Sequence, residues 1–243
     1  MITCTLLAQT GNQCFMIAAV IAHAKKMNTT CGVPKRTINP RIWRTYFDLP
    51  LSKQATMQYY KEPRHCYDPL PEVDDLTIEG YFQSEAYFKD AKQEVAEALG
   101  FEYTPADYVA IHVRRGDYLL YPEQFPVLPM EYYYAAIEHF RSLGYTKFKL
   151  YSDDIPFSKT QINSVYIKGT EVVYSNIKDP VADMKDMYNA SGFVVANSSF
   201  SLFPALLRQD NPIVVAPAES RWFGPMNAHL ETCDLMPERF IKM

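Results

Sequence analysis

The sequence lacks the features that mark several classes of protein. It has no excess of basic charge, since 24 lysines and arginines stand against 28 acidic residues and the net charge is −4. Such a chain has no basic field that would collect duplex DNA or anionic lipid, so any anion must be held by a local cluster of residues. The 243 residues contain no low-complexity tract or fixed-period repeat, and their 48% apolar content is that of an ordinary globular protein.

Long hydrophobic runs are also missing. No stretch reaches the roughly 18 uninterrupted apolar residues of a membrane span. The apolar N-terminus has no basic residues ahead of it and is interrupted by the polar residues 9–13, unlike a secretion signal. We therefore expect a cytoplasmic protein with at most a peripheral contact with a membrane.

Cysteines are few and scattered. There are five, an odd number, and none forms the C-x-x-C spacing of zinc or redox sites. We expect reduced thiols.

Several common catalytic motifs are absent. The chain has no G-x-x-x-x-G-K-[ST], G-x-G-x-x-G, G-x-S-x-G or H-E-x-x-H pattern, which removes the main support for a P-loop kinase, a Rossmann dehydrogenase, an α/β-hydrolase or a zincin. The five histidines are dispersed. His23, on a segment rich in alanine and isoleucine, is interpreted as a packed or surface residue rather than a ligand.

The first hundred residues predict a strand, a polar loop at 9–13 and a helix. The helix follows Gln13, because apolar residues recur there at helical spacing as far as Met27. Residues 33–75 are rich in proline and predict irregular structure. A second helix is predicted over 84–99, and Gly100 is a typical helix stop.

Strands and helices alternate in the second half. This order is typical of a parallel α/β sheet, and we place a domain boundary near 100–107, giving domains 1–105 and 106–243. Strands are predicted at 108–113, 147–152, 171–174, 193–196 and 212–215, and helices at 131–143, 181–190 and 201–208.

Parallel sheets bind ligands beyond the carboxyl ends of their strands, so the residues that follow each strand are the candidates for a site. Arg114 and Arg115 follow the first of these strands, and their guanidinium groups suit a diphosphate. Gly116 lets the backbone approach, and Asp117 can pair with one guanidinium. Alternatively the segment is a solvated turn. Residues 115–117 also spell a cell-adhesion tripeptide, which the neighbouring apolar strand disfavours.

Three further segments end strands or begin helices. Ser152, Asp153 and Asp154 suit a metal, a ribose or a helix cap, of which the cap is the more ordinary interpretation. Asn197, Ser198, Ser199 and Phe200 begin a helix whose free N–H groups favour an anion, unless they form an N-cap alone. Gly11, Asn12 and Gln13 form a similar polar turn.

Residues 112–118, HVRRGDY, resemble the first signature of the α-1,2-fucosyltransferases, glycosyltransferase family 11. Further resemblances follow in the family's order and extend from residue 11 to about 225. They are the G-N-Q turn at 11–13, G-Y-F-Q-S-E-x-Y-F at 80–88, Y-Y-x-x-A-I at 132–137, Y-S-D-D at 151–154 and A-N-S-S-F-S at 196–201.

This resemblance implies a GT-B-like α/β fold, with two Rossmann-like halves flanking a nucleotide-sugar cleft. The N-terminal half would serve the acceptor, the C-terminal half would bind GDP-fucose, and the last helix would cross back. It also implies transfer of L-fucose from GDP-β-L-fucose to a galactose-containing glycan with inversion, with no cofactor and no essential metal.

The resemblance also implies roles for residues. Arg115 or Arg114 would bind the β-phosphate and stabilise the departing GDP, and Asp117 belongs to the same catalytic signature. His112 and Asp183 would contact guanine, and Ser198 and Ser199 phosphate, with Asn197 and Phe200 in the same motif. Ser152 and Asp153 would complete the donor site, while Gly11, Asn12 and Gln13 would face it from the other domain.

The sequence does not assign the residue that acts as general base. Asp117, Glu85 and His23 are candidates by chemical type alone. The alternatives to fucosyl transfer are another GDP-sugar or acceptor, and a protein that binds a nucleotide sugar without catalysis.

Overall fold

The computed structural model describes residues 1–33, 57–165 and 167–243 as two compact units. The first comprises Met1–Glu102 and Glu231–Leu235, and the second comprises Tyr103–Leu230 and Met236–Met243. Each unit contains a parallel sheet, and the α/β class expected from the sequence is confirmed. Residues 231–235, assigned to the C-terminal domain from the sequence, lie in the first unit as a segment without α-helix.

The first unit has a sheet of three described strands, β1 (Ile2–Cys4), β2 (Gln58–Lys61) and β3 (Leu76–Glu79), in the order β1-β3-β2. Its helices are α1 (Thr10–Lys26) and α2 (Lys92–Leu99). The connection after β1 is shorter than predicted: α1 begins at Thr10, so Gly11, Asn12 and Gln13 form its first turn rather than a loop.

Two other predictions for this unit were wrong in part. Residues 33–75 contain β2, which sequence reasoning missed because its side chains are largely exposed and carry no apolar alternation; the predictions for 34–56 lie outside the described residues. The helix predicted over 84–99 is regular only from Lys92. Phe88 and Ala91 have φ near −136° and −138°, and each interrupts the helical path. Gly100 ends α2 with φ 68°, as expected.

The second unit alternates strand and helix as predicted. Its six strands are β4 (Val109–Val113), β5 (Lys147–Ser152), β6 (Glu171–Tyr174), β7 (Gly192–Val194), β8 (Ile213–Ala216) and β9 (Ile241–Lys242). The helices are α3 (Met130–Ser142), α4 (Ile155–Gln161), α5 (Pro180–Tyr188) and α6 (Ser199–Leu207). Aliphatic side chains of β4, β5 and β7 and the aromatic face of α3 form its core. The last strand, β9, pairs with β8, and the last helix that would cross back stays a prediction.

Strand order in the second unit fixes where a ligand can bind. The order β6-β5-β4-β7-β8-β9, with all neighbours parallel, is the doubly wound order 3-2-1-4-5-6. From β4 the chain adds β5 and β6 toward one edge of the sheet, and from β7 it adds β8 and β9 toward the other edge. The crevice beyond the carboxyl ends of these two strands is the point where such sheets hold ligands.

Glu62 organises the loop that follows β3. Its carboxylate accepts hydrogen bonds from the backbone N–H of Tyr81 (2.7 Å) and of Phe82 (3.1 Å). A Cβ on Gly80 would lie 2.4 Å from the Glu62 Cβ, so glycine is required for this close approach. Burial raises the pKa of Glu62 to about 7, and Asp234 adds to the effect.

Cys66 and Cys233 form a disulfide, so the prediction that all thiols are reduced was wrong for this pair. The bond ties 231–235 to the residues after β2. An Asp234 carboxylate oxygen also accepts from the backbone N–H of Tyr67 (2.6 Å). A separation of 167 residues hid the pairing from sequence reasoning.

No helix in the described ranges is both long enough and apolar enough to cross a lipid bilayer.

Stability should depend on the protonation of Glu62. Its pKa of about 7 lies above the ordinary 4.5, so the folded state holds this proton more tightly than the unfolded state does. Glu62 therefore contributes on the order of 3 kcal/mol to the free energy of unfolding below about pH 4.5, and this contribution is lost as the pH rises through about 7. Urea unfolding between about pH 5 and 8 should show this decline in the wild type and a smaller one in Glu62→Gln. Glu97→Gln, an exposed change on α2, should match the wild type. If the free energy of unfolding declined equally with pH in the wild type and in Glu62→Gln, the raised pKa of Glu62 would be contradicted.

Removing the disulfide should destabilise the first unit. We expect Cys233→Ser to lower the free energy of unfolding by roughly 2–5 kcal/mol, because the reduced chain loses a constraint on its unfolded state. A reductant should lower the Tm of the wild type but not of Cys233→Ser. Cys31→Ser, which removes a free thiol, should keep the response to reductant. Denatured unreduced protein should show three titratable thiols; five would refute the bond.

Candidate functional site

The first and third sequence signatures meet at the crevice between β4 and β7. The Tyr118 hydroxyl, after β4, donates to the backbone carbonyl of Asn197, after β7 (2.9 Å). His112 Nδ1, at the end of β4, lies 2.9 Å from Ser201 Oγ in α6. The sheet topology thus brings together two motifs that are about eighty residues apart in the sequence.

Arg114 is held by two carboxylates. Its Nη1 lies 2.7 Å from Asp153 Oδ2, and its Nη2 lies 2.5 Å from Asp117 Oδ1. Asp153 also accepts from the backbone N–H of Arg115 (2.9 Å). The Arg114 Nε atom is buried and has no partner among the described residues. The two terminal nitrogens of Arg114 thus each contact a carboxylate of the protein, whereas Nε does not.

Gly116 permits this arrangement because a Cβ at this position would lie 2.3 Å from Asp153 Oδ2.

Arg115 has a different environment. Its Nε donates to Asp154 Oδ2 (3.1 Å), and its guanidinium stacks on the Phe157 ring at 3.3 Å from the centroid. Its Nη1 and Nη2 atoms have no partner in the part of the chain that the structure describes. These two nitrogens form a fork of the kind that binds two oxygens of a phosphate.

The acidic residues after β5 form ion pairs with these two arginines. Asp154 is also the N-cap of α4, since its Oδ1 accepts from the N–H of Phe157 (3.1 Å), as the ordinary interpretation expected. Ser152 Oγ accepts from the N–H of Asp154 (2.9 Å). Of the three sequence interpretations of this segment, the structure supports the helix cap and adds an ion-pairing role.

The side chain of Arg115 is only 19% exposed. Gly116 and Asp117 are exposed, so only part of the tripeptide 115–117 is accessible.

The start of α6 is fixed by Ser198 and Asn197. Ser198 is the N-cap and accepts from the N–H of Phe200 (3.3 Å). Asn197 is buried, and its Nδ2 donates to the carbonyls of Pro126 (2.8 Å) and Trp222 (3.3 Å). The positive end of the helix dipole at Ser199 favours a negatively charged group.

His112 is a neutral side chain at physiological pH. It is 3% exposed, and burial together with the Arg114 charge lowers its pKa to about 3. Its ring also lies 5.1 Å from that of Phe200, centroid to centroid.

Asp183 lies in the first turn of α5, after the edge strand β6. Its Oδ1 accepts from the Ser175 hydroxyl (2.5 Å). Burial raises its pKa, and Asp186 raises it further. Two strand spacings, about 10 Å, separate β6 from β4.

Gly11, Asn12 and Gln13 belong to the first unit. The Asn12 side-chain oxygen accepts from Gln83 Nε2 (2.6 Å), and Gln13 is buried with its Nε2 on the carbonyl of Ala8 (3.2 Å). Two of the sequence motifs, 11–13 and 80–88, are thereby brought into contact at the carboxyl ends of β1 and β3.

The two base candidates of the first unit have structural partners. Glu85 pairs with Lys92 (2.5 Å), and the His23 ring bonds the carbonyl of Pro71 (2.9 Å). His23 is buried, which is the packed alternative of the two that the sequence left open. Asp117 is the candidate that lies in the arginine cluster.

Sequence reasoning missed Phe157 and Ser175. Phe157 stands in α4, a helix that was not predicted, and Ser175 directly follows β6. Inspection of every strand end, applied to β6, would have found Ser175; no comparable signal pointed to Phe157.

Comparisons with known proteins give the chain its family. The sequence model of "Glycosyl transferase family 11" matches residues 55–223, more than half of the chain. An α-1,2-colitosyltransferase of Escherichia coli is 28% identical over 185 residues, which are 68% of this chain and 61% of that protein. The O-antigen biosynthesis glycosyltransferase WbnK of Escherichia coli is 32% identical over 138 residues, 53% of this chain and 43% of that protein.

The chain thus spans less than two thirds of the length of either relative. A crystal structure of POFUT1 in complex with GDP has a TM-score of 0.48 and 13% identity, covering 88% of this chain and 97% of that one. On the match over residues 55–223, the chain belongs to glycosyl transferase family 11.

Proposed function

We propose that the protein transfers L-fucose from GDP-β-L-fucose to O2 of a terminal galactoside, with inversion at the sugar C1. The observation that carries this proposal is the pair of unbonded Arg115 Nη atoms at the carboxyl end of β4, beside the start of α6, in a chain of glycosyl transferase family 11. A guanidinium fork and a helix N-terminus at one switch point suit a diphosphate.

The reaction needs stabilisation of the leaving group. The acceptor oxygen bonds to C1 as the bond from C1 to the β-phosphate oxygen breaks, and the acceptor proton passes to a base. Negative charge develops on the departing GDP, and Arg115 would stabilise it at a fixed position. Arg114 and Asp117, which bind each other, would hold the turn rather than contact the phosphate. No cofactor or metal is required in this scheme.

Asp183 would select guanine. It lies in the first turn of α5, which follows β6, and β6 is about 10 Å across the sheet from β4. That separation suits a nucleotide whose diphosphate lies at β4 and whose base lies at β6. Guanine offers the carboxylate N1–H and a 2-amino group, a donor pair that adenine lacks.

The test is turnover with GDP-fucose and a panel of acceptors that contains lactose and type 1 and type 2 galactosides, followed by linkage analysis of the product. An α-1,2-linked fucoside would support the proposal. GDP binding without transfer to any acceptor would favour a non-catalytic nucleotide-sugar-binding protein.

Colitose is the second candidate for the transferred sugar, because one relative is named an α-1,2-colitosyltransferase. The same panel run with GDP-colitose distinguishes the two donors. A higher kcat/KM with GDP-colitose would replace fucose in the proposal.

Arg115→Ala should lower transfer by at least about 10²-fold, because one fixed electrostatic contact to the developing charge is lost. Arg115→Lys should recover only part of the activity, since an ammonium group keeps the charge without the fork. Activities are compared as kcat/KM after the Tm of each variant has been measured.

Arg141→Ala is the matched control, because it removes a surface arginine of α3 that pairs with Glu138 (2.6 Å). It should keep wild-type activity. Near-wild-type transfer by a folded Arg115→Ala would contradict the role of Arg115.

A further inference from the structure

The Ser201 hydroxyl lies at the centre of a small hydrogen-bond network under the candidate site. Ser201 is 1% exposed. Three groups surround its Oγ: His112 Nδ1 at 2.9 Å, the backbone N–H of Ala196 at 3.2 Å and the carbonyl of Ser198 at 3.4 Å. A hydroxyl has one proton to donate, so these three contacts constrain one another.

The proton of this hydroxyl has one favourable destination. The Ala196 N–H can only donate, and it therefore uses a lone pair of Oγ. The Ser198 carbonyl already accepts from the N–H groups of Ser201 (3.2 Å) and Leu202 (3.1 Å), which fill its two lone pairs. The ring nitrogen of His112 is also the nearest of the three contacts, so the hydroxyl donates to Nδ1.

A ring nitrogen that accepts a hydrogen bond carries no proton. In a neutral imidazole the single proton is then on Nε2. A doubly protonated ring is excluded at neutral pH, since burial and the Arg114 charge both lower the pKa of His112. The Nε2 atom has no hydrogen-bond partner within the described residues.

We infer that Ser201 is a positioning residue, which fixes His112 as an Nε2–H donor for an acceptor atom of the bound nucleoside diphosphate. The choice of ligand rests on the proposed function, whereas the tautomer does not. The opposite tautomer would present a lone pair at Nε2, which repels phosphate and carbonyl oxygens. A donor fixed in advance also avoids the cost of reorienting the ring when the ligand binds.

The tautomer can be measured without any substrate. In protein carrying ¹⁵N-labelled histidine, the long-range ¹H–¹⁵N couplings of each ring show which nitrogen is protonated. Comparison with the His112→Gln variant assigns the His112 signals. We expect Nε2–H in the wild type, a mixture or Nδ1–H in Ser201→Ala, and the wild-type pattern in Ser201→Thr, which keeps the hydroxyl.

Binding should follow the tautomer. The Kd for GDP should rise about 3- to 10-fold in Ser201→Ala, as for the loss of one ordinary hydrogen bond, and should recover in Ser201→Thr. Ser191→Ala removes another hydroxyl of the second unit, one that donates to the carbonyl of Tyr108 (2.9 Å). This control should change neither the tautomer nor the Kd.

An Nδ1–H or imidazolium form in the wild type would overturn the inference, and this result needs no folded variant. An unchanged tautomer in a folded Ser201→Ala would overturn it as well. If the wild type shows Nε2–H and Ser201→Ala alters it, but neither binds GDP, the positioning role holds and the proposed ligand fails.

Discussion

The carboxylate of Asp153 is the contact on which the arrangement of the candidate site depends. One oxygen binds the guanidinium of Arg114 (2.7 Å), and the other accepts from the backbone N–H of Arg115 (2.9 Å). A single side chain therefore fixes both the side chain of one arginine and the main chain of the next. Gly116 leaves room for that carboxylate, because any Cβ there would occupy its position. The direction in which Arg115 extends follows from these contacts.

The charges of this cluster explain how an acidic protein can hold an anion. Arg114 and Arg115 are accompanied by Asp117, Asp153 and Asp154, so the cluster carries no net positive charge. Under the proposed function, attraction to a diphosphate would depend instead on direction. The acids contact the two terminal nitrogens of Arg114 and the Nε of Arg115, which leaves the Nη edge of Arg115 and the N-terminus of α6 as donors. Neighbouring carboxylates position that edge, and its geometry would supply the binding that net charge does not.

How much of the candidate site could be predicted from the sequence depends on how far apart in the chain the interacting residues lie. The strand ends were predictable, because β4 and β7 are buried apolar runs, β5 alternates apolar and polar residues, and parallel strands bring their carboxyl ends to one edge. The partnership between Arg114 and Asp153 was not. It depends on the register of β4 and β5, in which Val113 pairs with Ser152 and the next residues of each strand become neighbours. A strand pattern predicts the element but not its register.

In the first unit, the predictions for β2 and for the helix over 84–99 also failed because contacts distant in the sequence determine the local structure. Exposed β2 is a strand because β3 lies beside it, and its own sequence has no alternation that would predict it. The helical spacing of 84–99 is real, yet the backbone leaves the helix at Phe88, whose side chain is buried. Tertiary packing overrides local propensity at such positions. The resemblance identified the family correctly but carried no information on these local departures.

The site also retains unfavourable features that packing alone would remove. Arg114 Nε and Asn197 Oδ1 are buried without hydrogen-bond partners in the described part of the chain, and such groups cost about 1–3 kcal/mol each. Neither residue is free to turn, because Asp153 and Asp117 hold Arg114 while the carbonyls of Pro126 and Trp222 hold the Asn197 amide. A fold selected for stability alone would replace these side chains with apolar ones. If the edge between β4 and β7 binds the proposed nucleotide sugar, this cost in stability would accompany that role.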